Sequence, residues 1–169
     1  HQRQKLAPNH RFANHSVSLK ELTKNSYLKL DYIVVPPRMQ LYIDYSARIY
    51  QIYLKYVAPE DIHVYSIDEV FMDVTPYLHQ YQDNPHILAE TIVKDIVQTT
   101  GITATVGIGT NLYLAKVAMD ILAKKAPADE HGVRIAFLDE KRYQQQLWHH
   151  QPLTDFWRIG RGISQRLAK

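Results

Sequence analysis

Residues 65–75 read YSIDEVFMDVT, an apolar and β-branched stretch with two adjacent acids, Asp68 and Glu69, at its middle. Neighbouring side chains of a β-strand point to opposite faces, so both acids cannot face solvent if both lie in one regular strand. The stretch therefore predicts a pair of short strands. Either the acids occupy a polar turn between these strands, or one acid points into a functional cleft.

Periodic apolar patterns on both sides of this stretch predict alternating helices and strands. Helices are expected over residues 38–56, 85–100, 111–123 and 139–148, with a further helical turn that Ser18 and Glu21 would cap. Strands are expected over residues 62–67, 70–74, 102–108 and 133–137, after an extended run over 28–35. Gly107 and Gly109 mark a place where the backbone turns or closely approaches another group.

This order of elements predicts the fold class. We expect an α/β or α+β fold, in which helices pack on a mixed, largely antiparallel sheet. The chain contains no internal repeat and no low-complexity tract.

The composition is that of a globular domain and excludes several classes of protein. Of the 169 residues, 46% are hydrophobic and 22% are charged, and the absence of cysteine excludes disulfides and thiolate metal sites. The sequence contains no run of about 18 apolar residues, so no membrane span is expected. The polar first residues do not resemble a signal peptide. The net charge of +3 permits nucleic-acid binding, and the nine scattered histidines are interpreted as surface residues. We expect a cytoplasmic location.

The last residues have a different pattern. Gly160 and Gly162 separate two short helical patterns within residues 153–167, and three arginines lie beside them. A helical hairpin closed by Gly-x-Gly exposes backbone N–H groups at the start of its second helix, which is a phosphate-binding arrangement. The alternative is a helix C-cap glycine next to a surface arginine.

Four segments together resemble the Y-family, lesion-bypass DNA polymerases, and most closely the bacterial ImpB/MucB/SamB type. They are residues 35–39, 65–74, 101–118 and 155–162. The resemblance implies a partial fingers or irregular segment over residues 1–35. It further implies a palm catalytic domain over 36–150 that lacks its first strand, and the helix-hairpin-helix start of a thumb over 151–169.

The resemblance also implies a reaction and its residues. Nucleotidyl transfer by this family uses two Mg²⁺ ions, whose preferred ligands are hard oxygens such as carboxylates. Asp68 is then a metal ligand, and Glu69 lies beside the primer-side metal. Lys124 would reach the triphosphate, unless it is an ordinary lysine at a helix C-terminus. Gly160, Arg161 and Gly162 would bind DNA.

Three further side chains are interpreted as supporting residues. Asp73 is five residues from Asp68 and is expected to be structural. Ser66 is expected to be a hydrogen-bonding neighbour of the acids rather than a nucleophile, because no His–Asp partner is suggested. Lys116 is expected to support the surface of its helix.

The resemblance leads us to expect an error-prone translesion polymerase that acts in the SOS response and in DNA repair. Its expected partners are damaged primer-template DNA, deoxynucleoside triphosphates and a sliding clamp bound through further C-terminal regions. A chain without an initiating Met that ends in a helical pattern is expected to be part of a longer protein. The family's first-strand acid, steric gate and triphosphate-holding Tyr/Arg pair are not found, so we expect this part to be inactive alone.

Two alternatives belong to other classes. One is a catalytically inactive DNA-binding or accessory protein on the same fold, and the other is a metal-dependent nucleotide cyclase, which the Gly160–Gly162 hairpin does not support. The absent first strand is also expected to leave an exposed sheet edge through which the chain could form a non-native dimer.

Overall fold

The computed structural model describes residues 10–129 and 132–168. The chain divides into two compact units between Arg38 and Met39. Part of the predicted segment 1–35 lies outside the described residues.

The described part of the first unit is a small strand-helix-strand arrangement. Strand β1 (Asn14–Ser16) pairs in parallel with β2 (Leu28–Leu30), and helix α1 (Leu19–Lys24) connects them. Ser18 caps α1, because its hydroxyl accepts a hydrogen bond from the Glu21 backbone N–H at 3.4 Å. The predicted helical turn is therefore confirmed, whereas the extended run predicted to residue 35 forms a strand only as far as Leu30.

The second unit contains every helix and strand predicted between residues 38 and 148, with shifted bounds. They are α2 (Met39–Tyr53), β3 (Ile62–Ser66), β4 (Glu69–Met72), α3 (Pro85–Thr100), β5 (Thr105–Gly109), α4 (Leu112–Val117), β6 (Arg134–Leu138) and α5 (Glu140–Leu147). The chain then forms a short 3₁₀ turn, Leu153–Asp155, and helix α6 (Arg161–Leu167).

The helix predicted over residues 111–123 is irregular at its end. Asn111 caps α4, with its Oδ1 accepting a hydrogen bond from Leu114 N at 2.9 Å. After Val117 the chain continues as a π-helical turn, Ala118–Leu122, and then as a 3₁₀ turn, Ala123–Lys125. Such π turns are rare and are found often at functional sites.

The strand pairing corrects one prediction. Strands β3 and β4 form the expected antiparallel hairpin, but β5 and β6 pair in parallel, as do β1 and β2. The described strands form three separate two-stranded ladders, so the prediction of a largely antiparallel sheet is wrong, although the mixed α/β class is confirmed. Strands β5 and β6 are parallel because α4 and the turns after it form the crossover that parallel strands require.

Two apolar clusters stabilise the second unit. In one, α2 packs against α3 through Ile52, Leu88, Ile92 and Ile96. In the other, α4 and the π turn pack against β6, α5 and Phe156. The backbone of β5 lies directly against α4 at Gly107 and Gly109, where a Cβ atom would overlap backbone atoms of Ala115. The prediction that these glycines permit a close approach is therefore confirmed.

Candidate active site

The acidic hairpin places its two carboxylates in different environments. Ile67 and Asp68 form the turn between β3 and β4, and Glu69 is the first residue of β4. The register shifts between Val64 and Ser66, which makes Tyr65 the extra residue of a bulge. Asp68 is exposed in the turn, whereas Glu69 points inward and is half-buried. The turn interpretation therefore describes Asp68, whereas a functional cleft at Glu69 stays a prediction.

A short hydrogen bond links the exposed acid to its neighbour. The Ser66 hydroxyl donates to Asp68 Oδ1 at 2.7 Å, as expected for a supporting residue. Asp73 lies beyond the end of β4, where its Oδ1 accepts a hydrogen bond from Thr75 N at 3.0 Å. Hydrogen bonds from Thr75 lower the pKa of Asp73. Asp73 therefore makes the local structural contact that was expected of it.

The burial of Lys116 shows that the prediction of a helix-surface role is wrong. Its side chain is only 8% exposed, and its Nζ lies 2.6 Å from Glu69 Oε1 and 2.9 Å from Asp120 Oδ2. The Lys116 Nζ also lies over the Tyr65 ring, 5.8 Å from its centroid. The sequence showed the i,i+4 spacing of Lys116 and Asp120. It did not show the contact with Glu69, which depends on the tertiary fold.

The two ion pairs keep these groups charged. Burial lowers the pKa of Lys116, but its hydrogen bonds with Glu69 and Asp120 raise it, and the net shift is upward. Burial raises the pKa of Asp120, whereas Lys124 and Lys116 lower it, and the net shift is downward. Both shifts favour the charged forms at neutral pH.

Lys124, the candidate triphosphate ligand, joins the same network. Its Nζ lies 2.6 Å from Asp120 Oδ1, and its side chain is 55% exposed. Asp120 therefore connects the exposed lysine to Lys116, and Lys116 connects it to Glu69. Among residues 10–129 and 132–168, no three His, Asp or Glu side chains lie close enough together to bind a metal ion.

The C-terminal segment contacts the acidic hairpin through aromatic side chains. Trp157 Nε1 donates a hydrogen bond to the Tyr65 hydroxyl at 3.3 Å. The Trp157 ring centroid lies 6.0 Å from that of Phe71 and 6.5 Å from that of Tyr113. Burial, followed by the neighbouring Tyr143, raises the pKa of Tyr113 to about 12, so Tyr113 contributes an uncharged ring. These contacts connect the segment that carries Gly160 and Gly162 to the strands that carry the acids.

The helix-hairpin-helix of the C-terminal segment stays a prediction. The segment's first element is the three-residue turn Leu153–Asp155, and its second is the seven-residue helix α6. Gly160 is the N-cap residue of α6, and no side chain makes a capping hydrogen bond there. A Cβ atom at Gly160 or Gly162 would meet nothing within 4 Å, so packing within the chain does not require glycine at either position.

Arg158 has an unusual backbone conformation for a side chain of its size. Its φ is 66°, and its guanidinium lies 4.7 Å from the Trp157 ring centroid. We expect the Arg158→Gly variant to be more stable than Arg158→Ala by about 1 kcal/mol. Both variants lose the guanidinium–ring contact, but only glycine adopts positive φ without strain. Urea denaturation of the two variants measures the difference, and equal stabilities would contradict a left-handed residue 158.

Comparison with known proteins identifies the class to which this fold and acidic hairpin belong. The impB/mucB/samB family matches residues 17–120, more than half of the chain. The chain therefore belongs to the impB/mucB/samB family, which confirms the resemblance seen in the sequence.

Several relatives of this chain are named as DNA polymerases. DNA polymerase IV 2 of Bacillus subtilis is 38% identical over 137 residues, which cover 81% of this chain and 31% of that protein. DNA polymerase IV of Shewanella baltica strain OS185 is 41% identical over 91 residues, which cover 54% of this chain and 25% of that protein.

A solved structure supports the same relationship. The crystal structure of a DinB family error prone DNA polymerase from Sulfolobus solfataricus matches with 28% identity and a TM-score of 0.64. The match covers 89% of this chain and 40% of that polymerase. This chain therefore spans less than half the length of the relatives described here. None of the helices in its described part has the length and apolar character needed to cross a membrane.

Proposed function

We propose that this chain is the part of an error-prone translesion DNA polymerase that carries two of its catalytic carboxylates. The observation that carries the proposal is the β3–β4 hairpin, which presents Asp68 in its turn and fixes Glu69 against Lys116. Family membership supports the interpretation of this hairpin as a polymerase site. In this proposal residues 1–35 are a partial fingers segment, 36–150 the palm and 151–169 the start of the thumb.

The acidic pair fits the requirements of Mg²⁺. Its donors are carboxylate oxygens, which Mg²⁺ prefers, and Mg²⁺ sites commonly use one or two carboxylates together with phosphates and water. Asp68 is exposed, and Glu69 is half-buried with its Oε1 held by Lys116. Two bound Mg²⁺ ions would stabilise the attacking and leaving oxygens of nucleotidyl transfer.

The other predicted site residues have roles in binding. Lys124 is proposed to contact the triphosphate of the incoming deoxynucleotide. Its amine is exposed, and the ion pair with Asp120 connects it to Lys116. Gly160, Arg161 and Gly162 are proposed to bind the DNA backbone. The open space around both glycines and the exposed Arg161 at the start of α6 support that role.

The whole protein is proposed to extend primer-template DNA past damage in the cytoplasm, as part of the SOS response and with a sliding clamp. The 169-residue chain alone is proposed to be inactive, because its described residues bring no third carboxylate to Asp68 and Glu69. Each described ladder of the second unit has two strands, so each strand has an unpaired edge. Self-association of the isolated chain through such an edge is the expected consequence.

A chimeric polymerase tests the proposal. The matching segment of Bacillus subtilis DNA polymerase IV 2 is replaced by this chain, and primer extension on undamaged and lesion-containing templates is measured with Mg²⁺. We expect extension by the chimera and none by the 169-residue chain. A folded chimera that binds primer-template DNA without extending it would contradict a catalytic role and favour the accessory protein. Circular dichroism verifies that the chimera is folded.

A further inference from the structure

Lys116 is a charged side chain buried next to a proposed metal ligand. Lys116 as a whole is 7% exposed, and its amine is held by the carboxylates of Glu69 and Asp120. A buried charge is costly unless it is paired and hydrogen-bonded, and this amine has two short ion pairs. The fold therefore places a permanent positive charge against Glu69 without any bound ion.

The surrounding charges are balanced in the same way. Glu69, Lys116, Asp120 and Lys124 form one continuous chain of ion pairs with N–O distances between 2.6 and 2.9 Å. Two acids and two lysines cancel, so Asp68 is the remaining uncompensated charge of the site. Adjacent carboxylates repel each other, and a nearby cation removes this repulsion.

We propose that Lys116 is a built-in counter-cation of Glu69, which holds the carboxylate in place before a divalent ion binds and weakens the binding of free divalent ions. The proposal deepens the polymerase function proposed above and rests on it. Lys116 does not touch the reacting atoms in this proposal, so it is a positioning residue. Glu69 Oε1 stays with the lysine, and Oε2 is left to a metal ion.

The sign of the effect distinguishes this role from a purely structural one. A positive charge 2.6 Å from a ligand oxygen opposes the binding of a second cation, so removing it strengthens divalent binding. A lysine that only supported packing would, when replaced, either leave metal binding unchanged or weaken it through disorder.

The experiment uses the 169-residue chain and metal ions alone. Lys116→Gln removes the charge and keeps a hydrogen-bond donor. Lys55→Gln is the control for the loss of a lysine–carboxylate ion pair, because Lys55 makes a more exposed one with Asp95, at 2.9 Å. Mn²⁺ binding is measured by electron paramagnetic resonance, and the melting temperature is measured with Mg²⁺ at constant ionic strength.

We expect Lys116→Gln to bind Mn²⁺ at least about fivefold more tightly than the wild type. We also expect its melting temperature to rise with Mg²⁺ by more than that of the wild type or Lys55→Gln, because a ligand that binds the native state stabilises it. The added Glu69→Gln substitution should abolish both gains. Unchanged or weaker Mn²⁺ binding, or a gain that persists without the Glu69 carboxylate, would overturn the proposal.

Two further outcomes remain decisive. If Lys116→Gln is unfolded without metal, Mg²⁺ should restore its circular dichroism spectrum, because the ion replaces the lost charge. Failure of Mg²⁺ to do so would overturn the proposal. Since no nucleotide or DNA is involved, these measurements stand apart from primer extension by the chimera. An inactive chimera together with the expected metal response would contradict the polymerase function only.

Discussion

Gly107→Ala is expected to destabilise the second unit by about 3 kcal/mol or more. The added Cβ would overlap the Ala115 carbonyl oxygen and lie 2.7 Å from the Met119 Cβ. Most of the obstructing atoms are backbone, so no side-chain rotation relieves the overlap, and β5 must move away from α4. That movement would separate the glycine strand from the helix that carries Lys116. Chemical denaturation followed by circular dichroism measures the loss.

Gly162→Ala is the matched control for this substitution. The same methyl group is added in α6, where a Cβ atom would have nothing within 4 Å. Alanine is the better helix former, so we expect unchanged or slightly increased stability, by at most about 1 kcal/mol. If both variants lost stability equally, the close approach of β5 to α4 would not be the cause.

Local sequence signals accounted for most of the secondary structure. Pro85 begins α3, and Asn111 and Asp139 cap the two helices whose apolar periods begin after them. The hairpin at residues 62–72 was equally predictable from the sequence, because two adjacent acids interrupt an apolar run. These features depend on neighbouring residues, and the sequence displays such neighbours directly.

The features that were missed depend on residues distant in the chain. The parallel pairing of β5 with β6 is set by where the crossover places the second strand, which the apolar pattern of β5 does not encode. The burial of Lys116 depends on Glu69, which arrives from another element. The π turn after Val117 was missed as well, because a plain helical period does not distinguish it from a regular helix.

The different positions of the two acids explain what the sequence could say about the candidate site. The hairpin tip accounted for Asp68, but it did not account for Glu69, which points inward against Lys116. The bulge at Tyr65 shifts the register by one residue just before the turn, and Ser66 then pairs with Glu69. A pattern of alternating side chains contains no such shift, because it assumes a regular strand.

Asp68→Asn in the chimera is expected to reduce the rate of nucleotide incorporation by about 10³-fold without changing its melting temperature. Metal-assisted stabilisation of the transition state amounts to several kcal/mol, and each 1.36 kcal/mol is about tenfold in rate. Asp68 is exposed, and its described contact is the Ser66 hydroxyl, which an asparagine oxygen can also accept. The substitution therefore removes a charge from the site and leaves the fold intact. Single-turnover incorporation with saturating DNA and nucleotide measures the rate.

Asp73→Asn provides the comparison at an equally exposed acid in the same segment. Asp73 accepts a hydrogen bond from Thr75 N, which asparagine preserves, so we expect incorporation within about twofold of the parent chimera. Excess Mn²⁺ should partly restore the Asp68→Asn variant if the defect is metal binding, and should leave Asp73→Asn unchanged. Equal losses in the two variants would show that general surface charge, rather than a metal ligand at residue 68, determines the rate. A full-rate Asp68→Asn chimera would remove Asp68 from the catalytic site.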